Sequence, residues 1–162
     1  MARVGRTVAL ALGSNLGNRH AHLDYAVHRL GRVLGDFHVS RPIETVPVGV
    51  GLQPPYLNAA AVGLSELDAR PLLDLLLAIE RERGRERPWP GAARTLDLDL
   101  ILFGDAVIDE PGLTVPHPRF RERQFVLEPL AAVAPDLVDP VTGLTVAELW
   151  AAWQRAHAPA GG

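Results

Sequence analysis

The chain has 162 residues, 48% of them apolar and 22% charged, with a formal charge of −3. That is enough apolar material for one ordinary domain with a real core, and the acidic balance excludes a generally basic nucleic-acid binder. No cysteine is present, which excludes disulfides and thiolate zinc sites, and no run approaches the ~20 apolar residues of a membrane span.

Arg3 and Arg6 before Val8 to Leu12 imitate a signal peptide, but the apolar run stops at Gly13-Ser14-Asn15 and is too short. A cytoplasmic protein is expected. Thr7 to Leu12 reads as a strand ending in turn chemistry through Asn18, which is positioned to cap a helix. Leu23, Ala26, Val27, Leu30, Val33 and Leu34 recur at helical spacing until Gly35. The glycine-rich turn lacks the spacing of a P-loop or a dinucleotide fold, so it is read as a plain strand-to-helix turn. Phe37 to Thr45 is predicted as a second strand and Tyr56 to Leu64 as a third. Between them, Val46 to Pro55 is too rich in proline and glycine for regular structure, and loops of that length are often functional.

Asp68 and Pro71 mark the start of a second helix, whose apolar stripe is Leu72, Leu75, Leu76 and Ile79 and whose end is marked by Gly84. Arg81 and Arg83 interleave with Glu80, Glu82 and Glu86 and suit a solvated helix end. Arg85, Arg87 and Arg94 lie beyond Gly84 and border an acidic strand, where they can fold over an anion. Trp89 either covers a base or pins the loop.

The acidic strand, Arg94 to Phe103, organises the rest. Alternation puts Asp97 and Asp99 on one face and Leu96, Leu98 and Leu100 on the other, with Ile101 and Phe103 continuing the acidic face as apolar positions. Same-face neighbours lie ~7 Å apart, so two carboxylates can share a cation or a cation pair, whereas bare they would raise each other's pKa. Oxygen ligands without cysteine favour Mg²⁺ completed by water and phosphates. The bland alternative is a pair of solvated aspartates.

Gly104-Asp105 is a turn signal into Ala106 to Ile108, a predicted hairpin partner of the acidic strand. The span Leu113 to Leu127 collects His117, Arg119, Arg121, Arg123, Phe120 and Phe125; phosphate contact is the sharp reading, and an exposed turn suits Arg119 and Arg121. Phe125 to Ala134 is predicted as a short helix. Thr145 and Glu148 form a capping box for a last helix carrying Trp150 and Trp153 into the core. The tail from Ala158 is expected to be loose. His20, His22, His28, His38 and His157 show no ligand spacing. The order β-α-β-β-α-β-β with appended helices predicts an α+β, ferredoxin-like fold over 1–162, a mainly antiparallel sheet with helices on one face.

Glu44 to Gly49, Gln53 to Ala60, Arg94 to Asp99 and Val115 to Arg119 together resemble the 6-hydroxymethyl-7,8-dihydropterin pyrophosphokinases of folate biosynthesis, in order and spacing. The resemblance implies transfer of the diphosphate of ATP to the pterin hydroxymethyl oxygen, leaving AMP, with two Mg²⁺ ions held by Asp97 and Asp99. It implies catalytic roles for Arg85, Arg94, Asp97 and Asp99. It places Tyr56 and Phe125 on the two faces of the pterin, with Asn58, Thr45 and Val48 at its edge. It places Arg85, Arg87, His117 and Arg123 on the phosphates and Glu80 near the adenosine. Trp89 to Arg94 departs from the family's spacing, Gly112 replaces an arginine found in some members, and Leu77 replaces a polar residue. A monomer is expected, with ATP and a reduced pterin as partners and neither nucleic acid nor membrane. A regulatory nucleotide- or pterin-binding module and a metal-dependent phosphohydrolase are the competing classes. The first does not explain paired aspartates beside His117, and the second does not need Tyr56 and Asn58.

Overall fold

The structure, a computed structural model, describes residues 5–46, 54–84 and 95–158. Its elements run β1 Arg6–Ser14, α1 Arg19–Gly31, β2 Gly35–Val39, β3 Ile43–Thr45, β4 Tyr56–Ser65, α2 Ala69–Glu82, β5 Asp97–Phe103, β6 Ile108–Glu110, β7 Leu113–Val115, α3 Gln124–Val133 and α4 Val146–Ala156. An antiparallel sheet has the order β2-β4-β1-β5, with β3 following β2 along the edge of β4. The expected α+β class is observed.

Helices cover both faces of this sheet, not one. Leu10, Leu12, Leu98 and Leu100 pack with Leu23, Leu30, Leu72, Leu76 and Ile79 beneath α1 and α2. Ala9, Ala11, Ala60, Val62 and Ile101 pack with Val126, Leu127, Leu130, Val146 and Leu149 beneath α3 and α4. An apolar helix stripe specifies burial but not which side of a sheet receives it. Double coverage is why seven consecutive residues of β1 are buried. Each fully buried Leu on these faces contributes about 2 kcal/mol of transfer free energy.

The local signals mostly act where they stand. Asn18 caps α1 by accepting from the Ala21 amide at 3.1 Å. Thr145 and Glu148 form the reciprocal box at α4. Gly84, at φ +76°, follows α2 in the left-handed region that glycine enters without steric cost. Four expectations shift. First, α1 ends at Gly31, and Val33 and Leu34 both donate to the Leu30 carbonyl, so Gly35 opens β2 instead of closing the helix. Second, the strand predicted over Phe37 to Thr45 is two strands. Ser40 interrupts the ladder by accepting the Ala60 amide on its own hydroxyl at 2.9 Å, and Pro42 has no donor to restore it.

Third, the hairpin partner forms elsewhere. The turn closes, with Ala106 donating to the Phe103 carbonyl at 3.0 Å, but β6 pairs with β7 in a separate two-stranded sheet. A hairpin partner would run along β5, and there the Ile101 carbonyl already accepts the His117 amide at 2.9 Å. Fourth, Phe103 does not share the face of Ile101. The register runs Ala9 to Leu102 and Leu10 to Leu100, which leaves Ile101 as the extra residue of a bulge. Leu102 therefore joins Ile101 in the α3 layer and Phe103 turns into the α1 layer. Trp150 and Trp153 are half-buried against the α3 layer, their rings stacked 5.5 Å apart. No helix among the described residues is long and apolar enough to cross a membrane.

Candidate active site

The candidate residues converge where the α3 layer leaves the sheet open. On β4, β1 and β5 the residues paired across the strands are Asn58, Gly13 and Asp97 in one row and Ala60, Ala11 and Asp99 in the next. Ala11 and Ala60 lie under the α3 layer. Because side chains alternate, Tyr56, Asn58, Gly13, Asp97 and Asp99 all share that face beyond it. Strands lie ~4.8 Å apart, so Asn58 and Asp97 stand ~10 Å from each other across Gly13. The floor between them is made of glycine and alanine.

Gly13 is required by its neighbours. A Cβ there would sit 3.0 Å from the Asn58 side-chain oxygen and 3.6 Å from a Tyr56 ring carbon. Asn58 is 6% exposed and donates Nδ2 to the Thr45 hydroxyl at 2.7 Å, which directs its Oδ1 toward Gly13. Tyr56 is half-buried opposite Thr45. The entry to β4 is gripped from the β1–α1 turn. Fully buried Asn15 donates to the Pro54 carbonyl at 3.2 Å, and Arg19 donates to the Pro55 carbonyl at 2.9 Å and to Glu44 at 2.6 Å.

Asp97 and Asp99 are half-buried at the start of β5, flanking Leu98. Leu98 donates its amide to Oε2 of Glu80 at 2.7 Å. Glu80 is 1% exposed and lies on the buried stripe of α2 with Leu76 and Ile79, so its carboxylate faces the protein interior. The helical spacing of Leu72, Leu76, Ile79 and Glu80 carried that signal, since Glu80 follows Leu76 by four residues.

His117 is brought to the same end by its amide bond to the bulged Ile101. Its Nδ1 accepts the Arg119 amide at 3.2 Å, which leaves the neutral ring's proton on Nε2. Burial, then the Arg123 charge, lower its pKa below the usual 6.5; Asp97 pulls the other way and Arg119 adds to the lowering. The ring is thus a neutral donor at pH 7, within the electrostatic reach of Asp97 and Arg123. Arg123 lies with its guanidinium 5.5 Å from the ring centroid of Phe125, and both are half-buried where α3 begins. The structure therefore brings Asp97, Asp99, His117 and Arg123 to one side of Gly13 and Asn58, Tyr56 and Thr45 to the other. Val48, Arg85, Arg87, Trp89 and Arg94 lie outside the described residues.

Sequence reasoning missed Gly13 as a floor residue, the interior position of Glu80, and the hold of Asn15 and Arg19 on Pro54 and Pro55. Asn15 and Arg19 reach their partners across 39 and 36 residues, and no local pattern encodes that contact.

For a metal ion, the available donor set is two carboxylates on one strand face; among the described residues no group of three or more acidic, histidine or cysteine side chains is placed to hold one. Two carboxylates suit a hard cation that takes its remaining ligands from phosphates and water.

The sequence model of the family described as 7,8-dihydro-6-hydroxymethylpterin-pyrophosphokinase matches residues 9–135. The chain is 42% identical over 147 residues to the 2-amino-4-hydroxy-6-hydroxymethyldihydropteridine pyrophosphokinase of Pseudomonas aeruginosa, covering 90% of each. It is 38% identical over 141 residues to the folic acid synthesis protein fol1 of Pneumocystis carinii, covering 86% of this chain and 19% of that protein. The solved HPPK-DHPS of Plasmodium falciparum matches with a TM-score of 0.73 at 15% identity, covering 96% of this chain and 47% of that one, a likeness of fold. The chain thus spans less than half of the two longer proteins and nine-tenths of the bacterial one.

Proposed function

The chain belongs to the 7,8-dihydro-6-hydroxymethylpterin-pyrophosphokinase family, and on that premise we propose that it transfers the diphosphate of ATP to the hydroxymethyl group of 6-hydroxymethyl-7,8-dihydropterin. The hydroxymethyl oxygen bonds to the β-phosphorus, the bond from that phosphorus to the oxygen bridging the α-phosphate breaks, AMP leaves, and the hydroxyl proton is released. We assign the whole of 1–162 to one such domain, acting as a cytoplasmic monomer on ATP and the reduced pterin.

What supports this reading most is the row Asn58, Gly13, Asp97, which sets an amide and a carboxylate ~10 Å apart on a flat floor, with Asp99 adding a second carboxylate from the next row. A planar heterocycle needs the first and a metal-bound polyphosphate the second. Tyr56 and Phe125 are assigned to the pterin's faces, where offset stacking suits a flat ring. Asn58, fixed by Thr45, reads its edge with Val48. Holding the pterin there presents its hydroxymethyl arm toward β5, so Asn58 and the two rings work by orientation.

Asp97 and Asp99 would hold Mg²⁺, assigned as two ions. Bound magnesium supplies charge neutralisation on the polyphosphate. His117 donates Nε2–H to a phosphate oxygen and Arg123 contributes a fixed positive charge beside it. Arg85, Arg87 and Arg94 are assigned to the same polyphosphate, with Arg85 and Arg94 bearing on the group in transfer. Glu80 serves the nucleotide side by fixing Leu98, and with it the spacing of the two aspartates. No covalent nucleophile is needed, since chemistry of this kind depends on positioning and electrostatics.

The test is to mix protein, ATP, Mg²⁺ and the reduced pterin and to identify the nucleotide product. AMP formed in step with pterin diphosphate, abolished by EDTA and restored by Mg²⁺, is expected. ADP, or diphosphate released without consumption of pterin, would overturn the assignment.

A further inference from the structure

Residues 136–158 lie beyond the span that the family model matches, yet they close onto the segment that delivers Arg123 and Phe125. Asp139 is fully buried, and four donors meet its carboxylate: Arg121 Nε at 2.5 Å and Nη2 at 2.9 Å, the Val141 amide at 3.1 Å and the Thr142 hydroxyl at 2.8 Å. The loop carrying Asp139 is itself closed by its backbone, with Asp139 donating to the Leu144 carbonyl and Gly143 to the Asp139 carbonyl, each at 2.8 Å. A second tie comes from α4, where Trp153 donates its indole N–H to the Glu122 carbonyl at 3.1 Å.

Both ties land on the turn Phe120–Glu122, whose next residue is Arg123. On its other side, the Arg123 carbonyl accepts the Val126 and Leu127 amides at the start of α3. The backbone of Arg123 is thus fixed from before by the C-terminal segment and from after by a helix. An exposed ion pair is worth little to stability, but a fork between a planar guanidinium and a buried, four-bonded carboxylate fixes direction as well as distance.

We propose that Arg121, Asp139 and Trp153 are positioning residues for Arg123, so that the segment after residue 135 sets the geometry of the phosphate end of the site. The inference rests on the assignment of Arg123 to the polyphosphate. Displacement of such a group by about 1 Å costs ~10²-fold, so partial loosening is expected to cost less. Two mild variants test it. Arg121→Lys keeps the charge and loses the fork, and Trp153→Phe keeps an aromatic ring beside Trp150, though a smaller one, and loses the bond to Glu122.

Steady-state kinetics in both substrates, with thermal melting alongside, should show KM for ATP raised ~3- to 10-fold in each variant, with KM for the pterin changed less. In an Arg123→Ala background the same substitutions should have no further effect on KM for ATP, because they act through Arg123. A lowered melting temperature with unchanged KM for ATP, or effects that add in full to Arg123→Ala, would overturn the proposal. If the unmodified protein forms no AMP, the activity assignment itself fails; if it forms AMP while both variants keep its KM values, only this inference does.

Discussion

Replacing Gly13 by alanine should weaken pterin binding without weakening the fold. The added Cβ would lie 3.0 Å from the Asn58 Oδ1, 3.6 Å from the Tyr56 Cδ1 and 3.9 Å from the Leu57 carbonyl oxygen, so its three nearest atoms all belong to β4. Asn58 has to retreat by a few tenths of an ångström, and it cannot do so freely, because it is 6% exposed and its Nδ2 is bonded to Thr45 at 2.7 Å. Loosening that bond forfeits about 0.5 to 1.5 kcal/mol, which is ~2- to 12-fold in affinity for a ligand that Asn58 reads. The stability of the fold moves the other way, since alanine lowers the entropy of the unfolded chain by about 0.4 to 1 kcal/mol and offsets the contact. Steady-state assays with each substrate varied in turn, together with thermal melting, separate these effects. KM for the pterin should rise within that range while KM for ATP and the melting temperature stay near those of the unmodified protein, and an Asn58→Ala background should erase the difference. Equal rises in both KM values, or no rise in that for the pterin, would refute the placement of Asn58.

Asp97→Asn and Asp99→Asn should each cut turnover by ~10²- to 10³-fold with little change in melting temperature, and turnover like that of the unmodified protein in either would remove the metal assignment. Glu80→Leu removes the acceptor of a buried amide and should cost about 1 to 3 kcal/mol in urea unfolding together with a fall in turnover, because Leu98 stands between the two aspartates; a stability loss with unchanged turnover would make Glu80 purely structural. Burial alone would raise the pKa of Asp139, but hydrogen bonds from Arg121, Thr142 and Val141 and the Arg121 charge outweigh it and hold the value below 3.8. The stability this carboxylate adds is therefore full above its unfolded value and lost as pH falls through the folded one, so urea midpoints of the unmodified protein and Asp139→Asn should differ by a constant amount down to about pH 4 and converge below it. A gap that widens as the pH falls below 4 would contradict the sign.

The parts of the fold legible in the sequence are those decided within one turn or one strand. Asn18, Thr145 and Glu148 sit where a helix must find acceptors for its first amides, and they cap as the pattern says. Asp97 and Asp99 alternate with Leu96, Leu98 and Leu100 because one side of β5 is core, and that alternation was enough to place the acidic pair. The family resemblance added Tyr56, Asn58, His117 and Arg123, which the register and the electrostatics of His117 bring to one end of the sheet. Pairings between distant elements were not legible. Arg121 and Asp139 are 18 residues apart, and Arg19 and Glu44 are 25 apart; nothing in either neighbourhood names the other. The face that each helix covers was hidden for the same reason, since a stripe such as Val126, Leu127 and Leu130 fits either side of a sheet equally well.

The bulge at Ile101 joins these two kinds of information. In an unbroken β5, Phe103 would stay on the face of Asp97 and Asp99, and a large ring would lie in the layer that α3 already fills with Phe120, Val126 and Leu127. One inserted residue sends Phe103 into the α1 layer and leaves Ile101 and Leu102 together under α3. It also leaves the Ile101 carbonyl outside the regular register with β1, where the His117 amide reaches it at 2.9 Å. The same irregularity that closes the apolar end of the acidic face therefore supplies the bond that carries His117 to its polar end. Because burial and the Arg123 charge favour the neutral ring and its Nδ1 accepts the Arg119 amide, His117 can offer Nε2–H as a donor beside a cation site near Asp97 without adding positive charge there. A straight strand would lose the packing of Phe103 and the approach of His117 together, so the apolar residues after Asp99 belong to the site as much as the aspartates do.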